Sequence, residues 1–318
     1  MSFIQLGKSD IQISKIIMGT WQAGKQMWTG IEDSDSIEAI KVAYDNGITT
    51  FDTAELYGKG HSEQIIGKSL KNVRDKVVIA TKVAPQNLSP QKIRSACERS
   101  LKNLHTDYID LYQIHWPAGS FGSKKIPIEE SLGEMTKLKK EGKIRSIGVS
   151  NFSLDQVKEA LLYAEIDSVQ SPYSILWRHI EKDIQSFCIE NNITLLAYSS
   201  MAQGLLTGKF KKDHKFDKGD HRKSNILFSE KYFERSLDFI SKIKPIAADL
   251  GMTLGGIAIY WVLTHENTAA IAGARNAKQS FVNANVLGCR LPHELMKELE
   301  ALSSDIAEEL IDQTIMWQ

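Results

Sequence analysis

The sequence predicts a single (β/α)8 TIM-type barrel spanning residues 1–318, preceded by a β-hairpin and decorated by a long loop and extra C-terminal helices. Three observations predict it. Short apolar runs alternate with amphipathic helical patterns from end to end. Each run is short, as expected for a strand buried on both faces. Helix start and stop signals fall in the gaps between them. Strands alternating with helices imply a parallel sheet, and eight such units close into a barrel.

The elements follow in order. Phe3 to Leu6 and Ile11 to Ser14 flank Gly7-Lys8-Ser9-Asp10 and read as a hairpin. The barrel strands are then Ile16–Met18, Thr50–Asp52, Val77–Ala80, Ile109–Tyr112, Ile144–Val149, Val169–Gln170, Thr194–Tyr198 and Ala269–Ala272. Among the helices, Ile93, Ala96, Cys97, Leu101 and Leu104 share one face, as do Ile257, Ala258, Trp261 and Val262. Asp33, Ser89 and Ser153 stand where N-caps belong, and Pro90 suits the first helical position. Asn46-Gly47 and Glu141-Gly142 close two helices. After strand seven, Gly204 to Arg235 reads as a long, polar, charged loop of the kind that is usually functional. Helices over about Ser236–Leu250 and Pro292–Ile306 complete the chain.

Composition narrows the function. Lys plus Arg and Asp plus Glu both number 39, so the formal net charge is zero and the basic excess of a nucleic-acid binder is missing. No stretch is long and apolar enough to span a membrane. Met1 to Lys8 lacks the layout of a signal peptide. Cys97, Cys188 and Cys289 are far apart, which suggests buried thiols in a reducing compartment and neither a disulfide frame nor a zinc site. A cytoplasmic protein without a metal is expected.

Barrels of this kind carry their chemistry at the C-terminal ends of the strands. Strand two ends in Asp52-Thr53-Ala54-Glu55-Leu56-Tyr57-Gly58, strand three in Thr81-Lys82 and strand four in His115-Trp116-Pro117. Asp52, Tyr57, Lys82 and His115 therefore converge at one mouth. Singly, each has an ordinary structural use: a turn cap, a rim ring, a surface charge, a packed imidazole. Together they fit carbonyl reduction. Hydride arrival puts negative charge on the carbonyl oxygen, which then needs a proton. A free tyrosine, with a pKa near about 10, is a poor acid at neutral pH, and an adjacent ammonium lowers that value. Lys82 can supply the ammonium, Asp52 can hold it, and His115 can donate a hydrogen bond to the carbonyl oxygen. No GxGxxG follows a strand and opens a helix, so a Rossmann dinucleotide site is absent. Tyr57 and Lys82 lie on separate strands, unlike the Tyr/Lys pair that short-chain dehydrogenases carry four residues apart on one helix.

The segments FDTAELYG, ATK, QIHWP, IGVSNF and YSSMAQGLLTGK resemble the aldo-keto reductase superfamily, in particular bacterial and plant members related to potassium-channel beta subunits. The similarity runs from the opening hairpin to Gly273-Ala274-Arg275 and Asn283. It implies NADPH-dependent reduction of small aldehydes and ketones, reversibly, with NADH as a possible substitute. It implies Asp52, Tyr57, Lys82 and His115 as the catalytic tetrad. Ser150, Asn151 and Gln170 would contact the nicotinamide carboxamide, and Tyr198 would stack on the ring. Ser199, Met201, Gln203, Gly204 and Leu205 would hold the pyrophosphate. Gly273, Arg275, Gln279 and Asn283 would meet the adenosine end. The chain departs from the family at Ser200, where a proline is usual, at Val282, where many relatives have Glu, and at Gly273-Ala274, where some branches have Lys-Ser. The last change shifts recognition of the 2′-phosphate onto Arg275.

Gly19 and Thr20 follow strand one directly and also belong to the expected cofactor site, with Trp21 beside them. Trp21, Trp28 and Trp116, with Phe121, are candidates for an aromatic substrate pocket. Lys209 and Arg222, in the long loop, are expected to reach cofactor phosphates as parts of a lid. A cofactor-bound sensing module and a Schiff-base aldolase using Lys82 are the competing readings. Aldehydes, ketones, sugars and inositol-like polyols stand open as substrates, as does the oligomeric state.

Overall fold

The computed structural model describes residues 2–26, 28 and 30–314. Its first two strands, β1 (Phe3–Gln5) and β2 (Gln12–Ser14), pair antiparallel as the expected hairpin. The next eight are β3 (Ile16–Gly19), β4 (Thr50–Asp52), β5 (Val78–Val83), β6 (Ile109–Ile114), β7 (Ile144–Ser150), β8 (Ser168–Pro172), β9 (Thr194–Tyr198) and β10 (Thr268–Gly273). They form a closed parallel barrel in sequence order, with β10 returning to β3 through Gly273 opposite Gly19. The predicted (β/α)8 barrel is therefore the fold.

Two apolar cores follow from this closure. The smaller lies inside the barrel, where Ile17, Ala80, Leu111, Leu196, Ala269 and Ile271 pack with Leu6, Ile11 and Ile13 of the hairpin. The hairpin thus plugs the N-terminal end and leaves the opposite end open for chemistry. The larger core lies between the strands and the surrounding helices. Those helices are α1 (Asp33–Asp45), α2 (His61–Leu70), α3 (Pro90–Leu104), α4 (Ile128–Lys140), α5 (Leu154–Leu161), α6 (Ile184–Glu190), α7 (Glu230–Asp249), α8 (Leu254–Leu263), α9 (Ala277–Asn285) and α10 (His293–Glu309). In α3 the predicted face, Ile93, Ala96, Cys97, Leu101 and Leu104, is buried. Among the described residues, no single helix is long and apolar enough to cross a membrane.

The expected caps and boundaries are met in part. Ser153 caps α5 through a reciprocal capping box with Gln156. Ser89 occupies the N-cap of α3 but its side chain makes no cap bond. Asp33 is the first residue of α1, after an N-cap at Glu32. Its carboxylate instead accepts from Lys25 and His61, each at 2.9 Å, and ties the turn after β3 to α2. Helix α7 starts at Glu230, before the expected Ser236, and α10 runs on to Glu309. The segment between β9 and α7 is less polar in effect than its charges suggest. It folds over its own rings, with Phe210 and Phe216 each edge-on to Phe228 at 5.3 and 5.0 Å. The end of the tail, residues 315–318, lies outside the described residues.

Candidate active site

At the C-terminal mouth the strands open into a cavity of about 1000 Å³. Asp52, Tyr57 and His115 line it, and Lys82 lies beneath, with no exposed surface. Lys82 Nζ donates to Asp52 Oδ1 at 2.6 Å and to the Thr53 carbonyl at 2.8 Å. A buried ion pair persists only when its remaining hydrogen-bonding groups are also met. Here Asp52 Oδ2 accepts from Gln170 Nε2 at 2.9 Å. The ammonium stands 5.1 Å from the centre of the Tyr57 ring, and His115 meets that ring edge-on at 5.6 Å. The four residues thus come together as the strand ends imply.

The position of Tyr57 depends on two glycines. Gly58 takes φ +62°, and the turn after β3 presses Gly24 against it. A Cβ on Gly24 would lie 2.6 Å from the Tyr57 carbonyl carbon, and one on Gly58 2.3 Å from the Gly24 oxygen. A larger residue at either place would force the phenol-bearing turn to move.

The electrostatics correct one expectation. Lys82 does not leave Tyr57 more acidic here: burial, and then the Asp52 carboxylate, push the phenol well above its ordinary value. The phenol is therefore fully protonated at neutral pH. Burial, and then the neighbouring Lys82 ammonium, hold His115 well below the usual imidazole range. The imidazole is neutral, and its Nδ1 is buried without a partner. Burial also lowers Lys82, against the pull of Asp52.

The remaining candidates separate into two groups. Gly19, Thr20, Trp21, Trp28, Trp116, Phe121, Ser150, Asn151, Gln170, Tyr198, Ser199, Met201, Gln203, Gly204, Lys209, Gly273, Arg275, Gln279 and Asn283 all line the cavity. Leu205 and Arg222 do not. Leu205 is buried in the outer core. Arg222 sits behind the wall, where it forms a two-pronged pair with Asp220 and lies over the rings of Trp28, Phe210 and Phe216, with Nη1 buried and unpaired. It does not line the cavity, whereas Lys209, expected beside it as part of a lid, does. The Thr20 hydroxyl is also engaged, with the Asp52 carbonyl at 2.9 Å and Ser62 at 2.8 Å.

Around the tetrad the backbone is constrained. Asn151 and Ser199 have φ of +62° and +57°. Asn151 holds its conformation by donating to the His115 carbonyl at 3.0 Å and accepting from Tyr198 O–H at 2.8 Å. At the far end, Gln279 accepts from the Arg275 amide at 2.8 Å, and Asn283 donates to the Gly273 carbonyl at 3.2 Å. Lys209 and Arg275 gather there. Burial, together with Arg222 and Arg275, lowers Lys209 to about 8. Cations that weaken one another in this way form a receptive place for an anion.

Sequence reasoning missed Gln22, His221, Leu56 and Lys278, which also line the cavity. Gln22 donates to the Ala274 carbonyl at 2.7 Å and so joins the β3 and β10 turns. His221 packs on Trp21 at 4.5 Å and Trp28 at 4.7 Å, so the loop after β9 closes over the turn after β3. Its neighbour Arg222 drew the eye in the sequence, and His221 carried no motif. Among the described residues, no group of three or more His, Cys, Asp or Glu could hold a metal ion.

A barrel with a buried Lys-Asp pair, a phenol and an imidazole at its open end defines a class of redox and carbonyl-handling enzymes. Within that class, the chain belongs to the aldo/keto reductase family, whose family model matches residues 15–304. It is 36% identical to the aldo-keto reductase YhdN of Bacillus subtilis over 314 residues, 95% of this chain and 93% of that one. It is 33% identical to an NADH-specific methylglyoxal reductase of Escherichia coli, covering 99% and 97% of the two chains. The structure is similar to that of a Klebsiella pneumoniae aldo-keto reductase solved with NADPH, with TM-score 0.76, 26% identity and 99% of each chain covered.

Proposed function

We propose that this protein reduces aldehydes and ketones to alcohols, reversibly, with NADPH as cofactor and Tyr57 as general acid. The observation that carries the reading is the two-ended cavity. Tyr57 and His115, above the Lys82–Asp52 pair, lie in the same cavity as the cations Lys209 and Arg275. That arrangement suits a long, anionic cofactor beside a neutral carbonyl substrate. The cations, and the solved relative with NADPH, support the phosphorylated cofactor, while the NADH-specific relative keeps NADH in play.

When bound, the dihydronicotinamide supplies a hydride to the carbonyl carbon. The carbonyl π pair then becomes an oxygen lone pair that needs one proton. Tyr57 holds that proton at neutral pH and gives it up to the oxygen. The resulting phenolate is stabilised by the Lys82 ammonium, which Asp52 keeps in place. Neutral His115 donates a hydrogen bond to the same oxygen and fixes its approach. Asn151, Ser150 and Gln170 would hold the carboxamide of the bound cofactor, and Tyr198 would support its ring. Trp21, Leu56, Trp116 and Phe121 form the apolar part of the wall for the rest of the substrate. A screen of NADPH oxidation over a panel of aldehydes and ketones, repeated with NADH, tests the proposal. No turnover with any carbonyl would favour a cofactor-bound sensing role.

A further inference from the structure

Gln113 on β6 has no role in the chemistry above, yet it is an uncharged polar side chain with no exposed surface, directly beneath the site. It sits opposite Lys82 in the β5–β6 ladder. Its Nε2 donates to Asp52 Oδ2 over 3.4 Å, and its Oε1 accepts from Gln170 Nε2 over 3.3 Å. Gln170 Nε2 also donates to Asp52 Oδ2, at 2.9 Å, while Lys82 holds Oδ1. Gly148 makes room for this arrangement. A Cβ there would come within 3.0 Å of Gln113 Cγ and 2.2 Å of Ser168 Oγ.

The chemistry of these groups dictates their orientation. An ionised carboxylate only accepts hydrogen bonds. Each amide must therefore turn nitrogen toward Asp52. With its nitrogen so placed, Gln113 turns oxygen toward Gln170, which engages the second N–H of Gln170. Gln170 is then left with its carbonyl oxygen unspent, on a residue that lines the cavity. We propose that Gln113 is a positioning residue that locks the amide of Gln170 with its oxygen free and steadies the second oxygen of Asp52. The cavity thereby offers an acceptor to the amino group of a nicotinamide carboxamide, and Lys82 stays aimed at Tyr57. This rests on the reductase reading, and what it adds is the support that Gln113 gives to Gln170 and Asp52.

Two variants of the full chain test it, Gln113→Leu and Gln113→Glu. Each is followed by the pH dependence of kcat/KM and, separately, by the NADPH dissociation constant from fluorescence titration. A protonated carboxyl at this position reproduces the glutamine pattern, since its O–H donates to Asp52 and its C=O accepts from Gln170. An ionised one cannot donate, and it faces Asp52 across from Lys82, with Tyr57 and His115 above. Burial and the Asp52 charge favour the protonated form, which brings its titration into the accessible range. Gln113→Glu should stay close to the original protein at low pH, then lose about tenfold in both affinity and kcat/KM as pH rises. Gln113→Leu should lose about tenfold at every pH, since it restores no donor. A Gln113→Leu protein with unchanged kcat, KM and cofactor affinity would overturn the proposal. So would a Gln113→Glu deficit that is the same at every pH. If Gln113→Leu does not fold, the reversible pH response of Gln113→Glu within one sample decides alone. Absence of carbonyl turnover in the unaltered chain would sink the reductase reading, while the affinity measurements would still judge Gln113.

Discussion

The two ends of the cavity are built on different principles. At the tetrad end, Asp52, Lys82 and the site-facing side of β6 belong to barrel strands, and their side chains are buried and mutually bonded. At the cationic end, Lys209 and Gln203 belong to the loop after β9, and Arg275 follows β10. Strand registers fix Asp52, Lys82 and Gln170 to within a residue, because one slip would turn every side chain to the other face. Tyr57 is held on its turn by the close approach of Gly24 and Gly58. The second end is assembled from loops whose backbone takes sparsely populated conformations, with Gln203 at φ +55° and Gly204 at +91°. The difference teaches that the chemistry is rigid by topology, while cofactor choice rests on loop-borne charges that can be altered with less harm to the fold.

The largest expected effects come from breaking the rigid end. Tyr57→Phe should lower kcat for reduction by about 10²–10⁴-fold, the worth of a positioned proton donor, and leave NADPH affinity unchanged. Lys82→Met should do the same by removing the charge that stabilises the phenolate. Because it strands Asp52 in a buried site, its melting temperature should be measured alongside. Mass spectrometry after substrate and borohydride, without NADPH, separates the electrostatic role from an aldolase. A reduced adduct on Lys82 forming at a competent rate would contradict the mechanism proposed for it.

This contrast also explains what was legible in the sequence. The barrel, its hairpin and the tetrad could be read because each strand is a short apolar run ending in a polar residue, as in Ile109-Asp110-Leu111-Tyr112 leading to His115. Residues held by tertiary contacts could not be. Gln22 reaches the Ala274 carbonyl across the barrel closure, and His221 finds Trp21 only because its loop folds back. Gln113 lies just past the predicted strand Ile109–Tyr112 and carried no signal of its own, since its partners Asp52 and Gln170 are on two other strands. Arg222 was misjudged for the opposite reason. An arginine in a charged loop suggests a phosphate ligand, and the sequence does not show that Phe210 and Phe216 fold onto it. The acidity of Tyr57 was misjudged because burial, which opposes Lys82, has no signature in the sequence.

A smaller effect is expected at Arg275. Its guanidinium lies 5.0 Å from the Trp28 ring centre, and burial, then the neighbouring Arg222, lower its pKa. Arg275→Ala should weaken NADPH binding by about tenfold or more, the worth of a charged hydrogen bond, and hardly alter NADH binding. Equal losses for both cofactors in a fluorescence titration would remove it from 2′-phosphate recognition.

Lys209 sharpens the same end through pH. With its pKa lowered to about 8 by burial and by Arg222 and Arg275, it is charged below that pH and neutral above it. Cofactor affinity should therefore fall as pH rises through this range, by a few-fold, since one cation at a partly exposed site is screened. Lys209→Met should bind more weakly at pH 7 and show no such fall. An equally steep decline in that variant would assign the titration to another group.

The smallest effect on cofactor choice is expected at Arg222, and it tests whether the wall or the support behind it selects the phosphate. Its side chain is nearly buried, paired with Asp220 and packed over Trp28, Phe210 and Phe216. Removing the arginine alone leaves Asp220, a partly exposed carboxylate, without its partner, so Arg222→Met should destabilise the fold by about 1–3 kcal/mol. Cofactor binding should then weaken equally for NADPH and NADH, because the loop loosens as a whole. Adding Asp220→Asn removes the stranded charge, and the double variant should recover most of the stability, since paired residues are strongly non-additive. If the wall selects the phosphate, the ratio of NADPH to NADH affinity stays the same in the unaltered protein and in both variants, while the melting temperature falls and recovers. A ratio that drops with Arg222 and does not return in the double variant would mean that its charge reaches the cofactor after all, and that the loop closes further when the cofactor is bound.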